Sequence, residues 1–281
     1  MAVPITPQRA REALADLVHG SPQPFPLDEA ALLLAVDAYP ELDFDACRRG
    51  LDDLAAQVNE LAGPDPGPME RVAALRRGIF EAGGFQGDRD HYYDAQNSYL
   101  NRVLQRRRGI PITLSIVVMA VGSRLRWPLS GVNFPYHFLV TTPNGAAPLA
   151  IDPFAGGLVV AEQELRHRWR QAELPETPLR QMLAAAEPRR IILRVLNNLK
   201  VIHTGRQEYE LAVEPVEKMM LLEPEEPGHL RDLGYLLTRG KHHAEAIQQF
   251  RRYLDQSPEA KDRQFIERLL MQLERQAARW N

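Results

Sequence analysis

The sequence predicts an α+β domain over residues 1–180, opening with helices, followed by an all-α region of paired helices over residues 188–281. Three observations lead there. Apolar residues recur at helical spacing through most of the first half. They alternate at strand spacing from Pro128 to Asp152. After a polar, proline-bearing connection from Glu173 to Pro188 they return to helical spacing with a 34-residue repeat.

Residues 27–85 read as helices punctuated by Pro40, by the run Gly63 to Pro68, and by Gly83-Gly84. In the middle helix, Cys47, Leu51, Leu54, Val58 and Leu61 fall at spacings of four, three, four and three, a single apolar stripe that puts Cys47 on the core side. Asn97 and Ser98 are suited to cap the next helix, which carries Tyr99, Leu100, Val103 and Leu104, and Gly109 to the left-handed position that ends it. Pro111 then opens another helix as its first residue, where a missing N–H costs nothing. Ile112, Leu114 to Met119 and Leu125 make that helix apolar nearly all round, so it is expected at the centre of the domain.

Strands are expected at Leu129 to Phe134, His137 to Thr142 and Pro148 to Asp152, the last two joined by an Asn144-Gly145 turn. With that turn as the hairpin centre, paired residues have numbers summing to 289, which sets His137 directly opposite Asp152. Opposed Cβ atoms are about 4.5–5.5 Å apart, within contact range for an imidazole and a carboxylate.

In the C-terminal region Leu196 and Leu230, Leu199 and Leu233, Ala212 and Ala246, and Pro224 and Pro258 are each 34 residues apart. That period with small and apolar residues is the signature of tetratricopeptide helix pairs. Gly234 fits the small-residue position and Lys200 departs from it. Residues 261–280, with Ile266, Leu269, Leu270, Leu273 and Trp280, read as a closing helix, giving two repeats and a cap. Two repeats are fewer than usually stand alone, so this region is expected to pack on the α+β domain.

Composition narrows the function. A 281-residue chain with 44% hydrophobic residues can build real cores, and a net charge of −3 offers no general field for nucleic acid or anionic membrane. Met1 to Ala10 lack the pattern of a secretion signal, and the longest apolar runs, Ala30 to Val36 and Ile116 to Val121, are too short to span a bilayer. The single cysteine, Cys47, excludes an internal disulfide framework and fits a reducing, cytoplasmic setting. No metal site or cofactor is expected. His242-His243 stand without a ligand cluster, and Gly83-Gly84 and Gly156-Gly157 make no phosphate-binding pattern.

Four segments resemble, in order and spacing, a bacterial family that joins a transglutaminase-like domain to tetratricopeptide repeats. They are Asn97-Ser98-Tyr99-Leu100-Asn101, Arg106 through Ser115, Phe134-Pro135-Tyr136-His137-Phe138 and Ile151-Asp152-Pro153-Phe154. Members of that family are often described as regulators of sirC expression. The resemblance implies a papain-like core in which a cysteine opens a buried helix and a His and an Asp follow on adjacent strands. The thiolate attacks an amide carbonyl, the His carries the proton and the Asp orients the ring. On this pattern His137 and Asp152 correspond to the second and third members, and Pro111 occupies the nucleophile position. Proline has no nucleophilic atom and no N–H for an oxyanion hole.

Thr113 and Ser115 are the alternative nucleophiles, half a turn or more along the helix. Cys47 precedes His137 in the order expected of a displaced nucleophile, against a reading as a structural thiol. His137 and Asp152 read either as a pair pinning the hairpin or as part of a ligand site. Asn101, Arg107, Arg108 and Tyr136, from the same segments, are the candidate binding residues. The run Arg102, Arg106, Arg107, Arg108 reads as a solvated helix end, or alternatively as an anion site. The reading that follows is a non-catalytic binding or regulatory protein with a protein or peptide partner, and with neither nucleic acid nor membrane. The alternatives are an amidase, isopeptidase or acyltransferase using His137 and Asp152 with a non-standard nucleophile, and a purely structural scaffold.

Overall fold

The computed structural model describes residues 5–20, 25–145 and 147–277, and the chain divides into two units, Met1–Val195 and Leu196–Asn281. The first unit opens with helices α1 (Pro7–His19), α2 (Leu27–Leu33), α3 (Phe44–Ala62) and α4 (Pro68–Leu75). The Asp43 carboxylate caps α3 by accepting the Ala46 N–H at 2.9 Å. Helix α4 runs on into a wider π-helical turn at Arg76–Ala82. Along α3 the expected stripe is buried at Leu51, Leu54 and Val58. Cys47 is a correction, because the first turn of α3 reaches past the core and leaves the thiol only half-buried.

Strand β1 (Gln86–Gly87) pairs in parallel with β2 (Arg108–Gly109), on either side of helix α5 (Leu100–Arg106). Such two-residue strands are too short to leave a periodic signal. The expected caps of α5 are also corrected. Tyr99 holds the N-cap position without a side-chain bond, and Arg107, not Gly109, takes the left-handed conformation at the C-terminus, with φ +58°. Asn97 is diverted from capping because its side-chain amide donates to the His91 carbonyl at 2.8 Å.

Helix α6 (Pro111–Arg124) begins at Pro111 as expected and is buried without a break from Pro111 to Gly122. With no polar face to orient it, α6 is anchored at its ends. Thr113 reaches back to accept the Ile110 N–H at 3.2 Å. Arg124 bonds Asp28 of α2 at 2.8 Å and Asp52 of α3 at 2.6 Å.

The sheet follows, with β3 (Ser130–Phe134), β4 (His137–Thr142), β5 (Leu149–Asp152) and β6 (Leu158–Val159) antiparallel in that order. Helix α6 packs on β4. One sheet face presents Val132, Phe134, Leu139 and Ala150 to Leu165 of α7 (Glu162–Gln171) and Met182 of α8 (Leu179–Met182). The β4–β5 register differs from the expectation. Val140 pairs with Ile151, Thr141 with Ala150 and Thr142 with Leu149, so paired numbers sum to 291 and Asp152 stands opposite Leu139. The turn is closed by the Ala147 N–H on the Asn144 carbonyl at 3.3 Å, which moves the hairpin centre one residue past Asn144-Gly145. A slip of two in the sum keeps every side chain on its face.

Helix α9 (Pro188–Gly205) runs from the first unit into the second, which continues as α10 (Tyr209–Leu222), α11 (Gly228–Arg239), α12 (His243–Gln256) and α13 (Arg263–Ala277). Helices α10 and α12 begin and end 34 residues apart, and their C-caps Glu223 and Ser257 share nearly the same backbone conformation, φ −131° with ψ 70° and 66°, just before Pro224 and Pro258. Leu196, Leu199, Ala212 and their 34-residue counterparts Leu230, Leu233 and Ala246 are all buried. Gly234 is required by a close approach, since a Cβ there would lie 2.6 Å from the Phe250 ring. Lys200 at the equivalent position points its ammonium to Asp232 at 2.7 Å. Helix α13 closes the unit with Ile266 and Leu273 buried; Trp280 lies outside the described residues.

Candidate functional site

A two-residue turn places His137. Pro135 fixes its own φ near −65° and Tyr136 adopts φ +55°, so Phe134 pairs directly with His137, the first residue of β4. Asp152 ends β5 and begins a 3-10 turn at Pro153–Ala155. Alternation along the strands puts His137, Leu139, Ala150 and Asp152 on one face, the one covered by α7 and α8.

The two oxygens of Asp152 have separate tasks. Oδ1 accepts the N–H groups of Phe154 at 3.0 Å and Ala155 at 3.1 Å. Oδ2 lies 2.8 Å from Nε2 of His137 and 3.8 Å from Nη1 of Arg168 in α7. The His137 contact is at hydrogen-bond distance without the alignment of a hydrogen bond, a close polar contact. Asp152 is 5% exposed. Burial, the largest single influence, raises its pKa. The combined pull of His137, the Ala155 N–H and Arg168 outweighs burial and holds the carboxyl below the usual carboxylate range.

Nδ1 of His137 has no protein hydrogen-bond partner among the described residues. The ring meets Phe154 edge-on at 6.2 Å, and Phe154 meets Tyr92 the same way at 5.9 Å. Gly87 of β1 lets Phe154 settle there, since a Cβ at Gly87 would be 2.6 Å from that ring. The Arg89 guanidinium lies 5.1 Å over the Phe154 ring, and Tyr93 and Tyr136 are exposed nearby in sequence.

The hydroxyls of α6 are committed elsewhere. Thr113 is 1% exposed and donates to the Asn97 carbonyl at 2.7 Å. Ser115 is fully buried and donates to the Pro111 carbonyl one turn back, also at 2.7 Å. Neither bonds His137. Cys47 lines a different feature, a surface cavity of about 560 Å³ formed with Tyr39, Asp43, Asn101, Arg102 and Gln105. Burial, with help from Asp43 and Glu29, pushes its thiol up to about 11, which disfavours the thiolate a nucleophile needs.

The candidate binding residues therefore divide. Tyr136 adjoins His137 and is 91% exposed. Asn101 belongs to the Cys47 cavity, with Oδ1 buried and lacking a donor. Arg107 lies 4.7 Å over the Phe85 ring and Arg108 is exposed. Within the basic run, Arg106 is no solvated cation. It bonds Asn97 at 3.1 Å and fully buried Asp88 at 3.3 Å, with Asp94 at 3.6 Å. That network fixes Asn97, whose carbonyl receives the Thr113 hydroxyl.

Sequence reading missed Arg168, Asp88 and Arg194, whose side chain bonds the His137 carbonyl and Asn133 Oδ1, each at 2.8 Å. Arg194 is 57 residues from His137 and no local pattern connects them. Among the described residues no His, Cys, Asp and Glu grouping could hold a metal ion, and no helix is long and apolar enough to cross a membrane.

Residues 45–197 match the model of the transglutaminase-like superfamily, and residues 199–271 match a tetratricopeptide repeat model. The chain is 37% identical over 241 residues to a UPF0162 protein of Xylella fastidiosa, covering 83% of this chain and 84% of that protein. It is 32% identical over 218 residues to a UPF0162 protein of Pseudomonas aeruginosa, covering 76% and 77%. A shorter match of 81 residues, 41% identical, relates 29% of the chain to 13% of F-box only protein 21 of Mus musculus.

Proposed function

The chain belongs to the transglutaminase-like superfamily and to the UPF0162 proteins, and on that premise we propose that it is a non-catalytic binding and regulatory protein. One observation carries this reading: among the described residues no hydroxyl or thiol hydrogen-bonds His137, the residue that would serve as base. Pro111 opens α6, and the two hydroxyls that follow are buried and already donate to main-chain carbonyls. Freeing either one would break a buried hydrogen bond, and Ser115 would also have to leave its helix turn.

In this reading the domain keeps a recognition site, a peptide segment of a partner protein lying against His137, with Nδ1 bonding its backbone and Tyr136 adding a contact. Tetratricopeptide repeats are protein-interaction elements, and they give the chain a second surface for partners. The lone Cys47 supports a cytoplasmic setting.

The test is a pair of measurements on the full chain. Pools of random hexapeptides are titrated while the His137 ring resonances are followed by NMR. The same pools are searched by mass spectrometry for cleaved or transferred products. Movement of the His137 signals without products supports the reading. Products that vanish in His137→Ala would replace it with the amidase or acyltransferase alternative, and absence of any shift would leave a scaffold.

A further inference from the structure

Arg194 meets only neutral partners. Its Nη1 donates to Asn133 Oδ1 and its Nη2 to the His137 carbonyl, and the guanidinium lies 5.4 Å over the Phe138 ring. No carboxylate among the described residues pairs with it. The two bonds use two of its five N–H groups and leave three for a ligand. Burial holds Arg194 below the usual guanidinium range, with the Tyr92 hydroxyl opposing. A half-buried cation without a counter-ion has lost hydration and gains strongly from an arriving anion.

The surroundings repeat this imbalance. Arg89, over Phe154, also lacks a carboxylate partner among the described residues. The acids that might have neutralised these cations are already used, Asp152 by His137 and Arg168, and Asp88 and Asp94 by Arg106. Asp90, exposed beside Arg89 in sequence, makes no ion pair with it. The rings of Tyr92, Tyr93 and Phe154 are linked by edge-to-face contacts at 5.2 and 5.9 Å, with Arg89 over Phe154 and Arg194 close enough to feel the Tyr92 hydroxyl. Tyr92 and Tyr93 are 37% and 70% exposed.

We propose that the His137 site selects an acidic peptide segment: a ligand carboxylate takes the free N–H groups of Arg194, and a neighbouring apolar side chain lies on the Tyr92, Tyr93 and Phe154 ledge. The planar guanidinium fork matches a carboxylate through two parallel bonds, and Arg89 adds longer-range attraction. This inference rests on the non-catalytic binding reading and adds the chemistry of the ligand to it.

The experiment uses the full chain and three probes. One is an acetylated, amidated pentapeptide with a central glutamate flanked by phenylalanine and glycine. The second carries glutamine in place of that glutamate, and the third is inorganic phosphate. The glutamate peptide is expected to bind about ten- to a hundredfold more tightly than the glutamine peptide, the scale of hydrogen bonds to a charged group. Arg194→Gln is expected to remove that preference. Because Arg194 also ties β3 to β4, its melting curve is compared with the wild type, and Arg89→Gln, a surface change, is measured alongside. Arg89→Gln should weaken the glutamate peptide about two- to fivefold, and added salt should erase that difference. Equal binding of both peptides overturns the acidic preference while leaving the peptide-binding reading intact. Phosphate binding as tight as that of the glutamate peptide overturns the peptide as the ligand. Binding of none of the three probes overturns the inference.

Discussion

Nε2 of His137 and Oδ2 of Asp152 lie 2.8 Å apart although the two residues are not opposite one another in the sheet. Asp152 stands across from Leu139, one pair further along, and the His137 ring closes the diagonal gap. Diagonal neighbours on one face are within reach of long or aromatic side chains, so the contact tolerates a register in which direct opposition fails. Asp152 is in turn held by two main-chain N–H groups, which makes it the fixed member of the pair.

Asp152→Asn is expected to destabilise the protein by about 2 kcal/mol at neutral pH, through loss of charge-assisted bonds at a buried site. The folded carboxyl titrates below its unfolded value. Its contribution is therefore fully present above the unfolded pKa of about 3.9 and disappears as pH falls through the folded value. Urea denaturation at neutral and acid pH should show the gap between wild type and variant closing only on the acid side.

Thr113→Val should cost about 1–3 kcal/mol, because the Ile110 N–H loses its side-chain acceptor and the Asn97 carbonyl its donor in a buried place. Ser115→Ala should cost less than about 1 kcal/mol, since a back-bonded serine contributes little to a helix. Urea unfolding measures both, and peptide binding at His137 should be unchanged in each folded variant.

Tyr136→Gly should raise stability by about 1 kcal/mol, because a non-glycine residue held at φ +55° carries conformational strain. The exposed ring is lost at the same time, so peptide affinity should fall. Calorimetry for stability and titration for affinity should thus move in opposite directions.

Cys47 should alkylate slowly at neutral pH and faster as the pH rises toward about 11, where burial has pushed its thiol. Iodoacetamide labelling followed by mass spectrometry gives the rate. Labelled protein should bind peptide at His137 as the unlabelled protein does.

Gly234→Ala should cost about 1–3 kcal/mol, since the added methyl meets the Phe250 ring at 2.6 Å and forces repacking of the second repeat. Circular dichroism melting would register it. Truncating the ring in Gly234→Ala/Phe250→Leu should recover part of the loss.

Features written in local pattern were legible without the structure. The all-apolar run after Pro111 required a buried helix, and the 34-residue spacing of leucines, alanines and prolines required paired helices whose ends repeat at that interval. The helix-opening proline and the His137 and Asp152 positions were equally visible. The cap at Asn97, the left-handed residue at Gly109, the register sum and the buried side of Cys47 were misjudged. Each depends on a competing partner or a turn geometry that residue type alone leaves open.

The sequence by itself determined the buried helix after Pro111, the strands that carry His137 and Asp152, the 34-residue repeat, and that proline stands where the resemblance calls for a cysteine, because periodicity and residue identity are local properties. Only the tertiary structure decided that the Thr113 hydroxyl belongs to a carbonyl 16 residues away, that Arg194 reaches His137 across 57 residues and that Arg106 serves buried Asp88. Hydrogen-bond partners and burial arise from how elements pack, and one buried donor can be satisfied by many chemically equivalent acceptors until packing leaves it one.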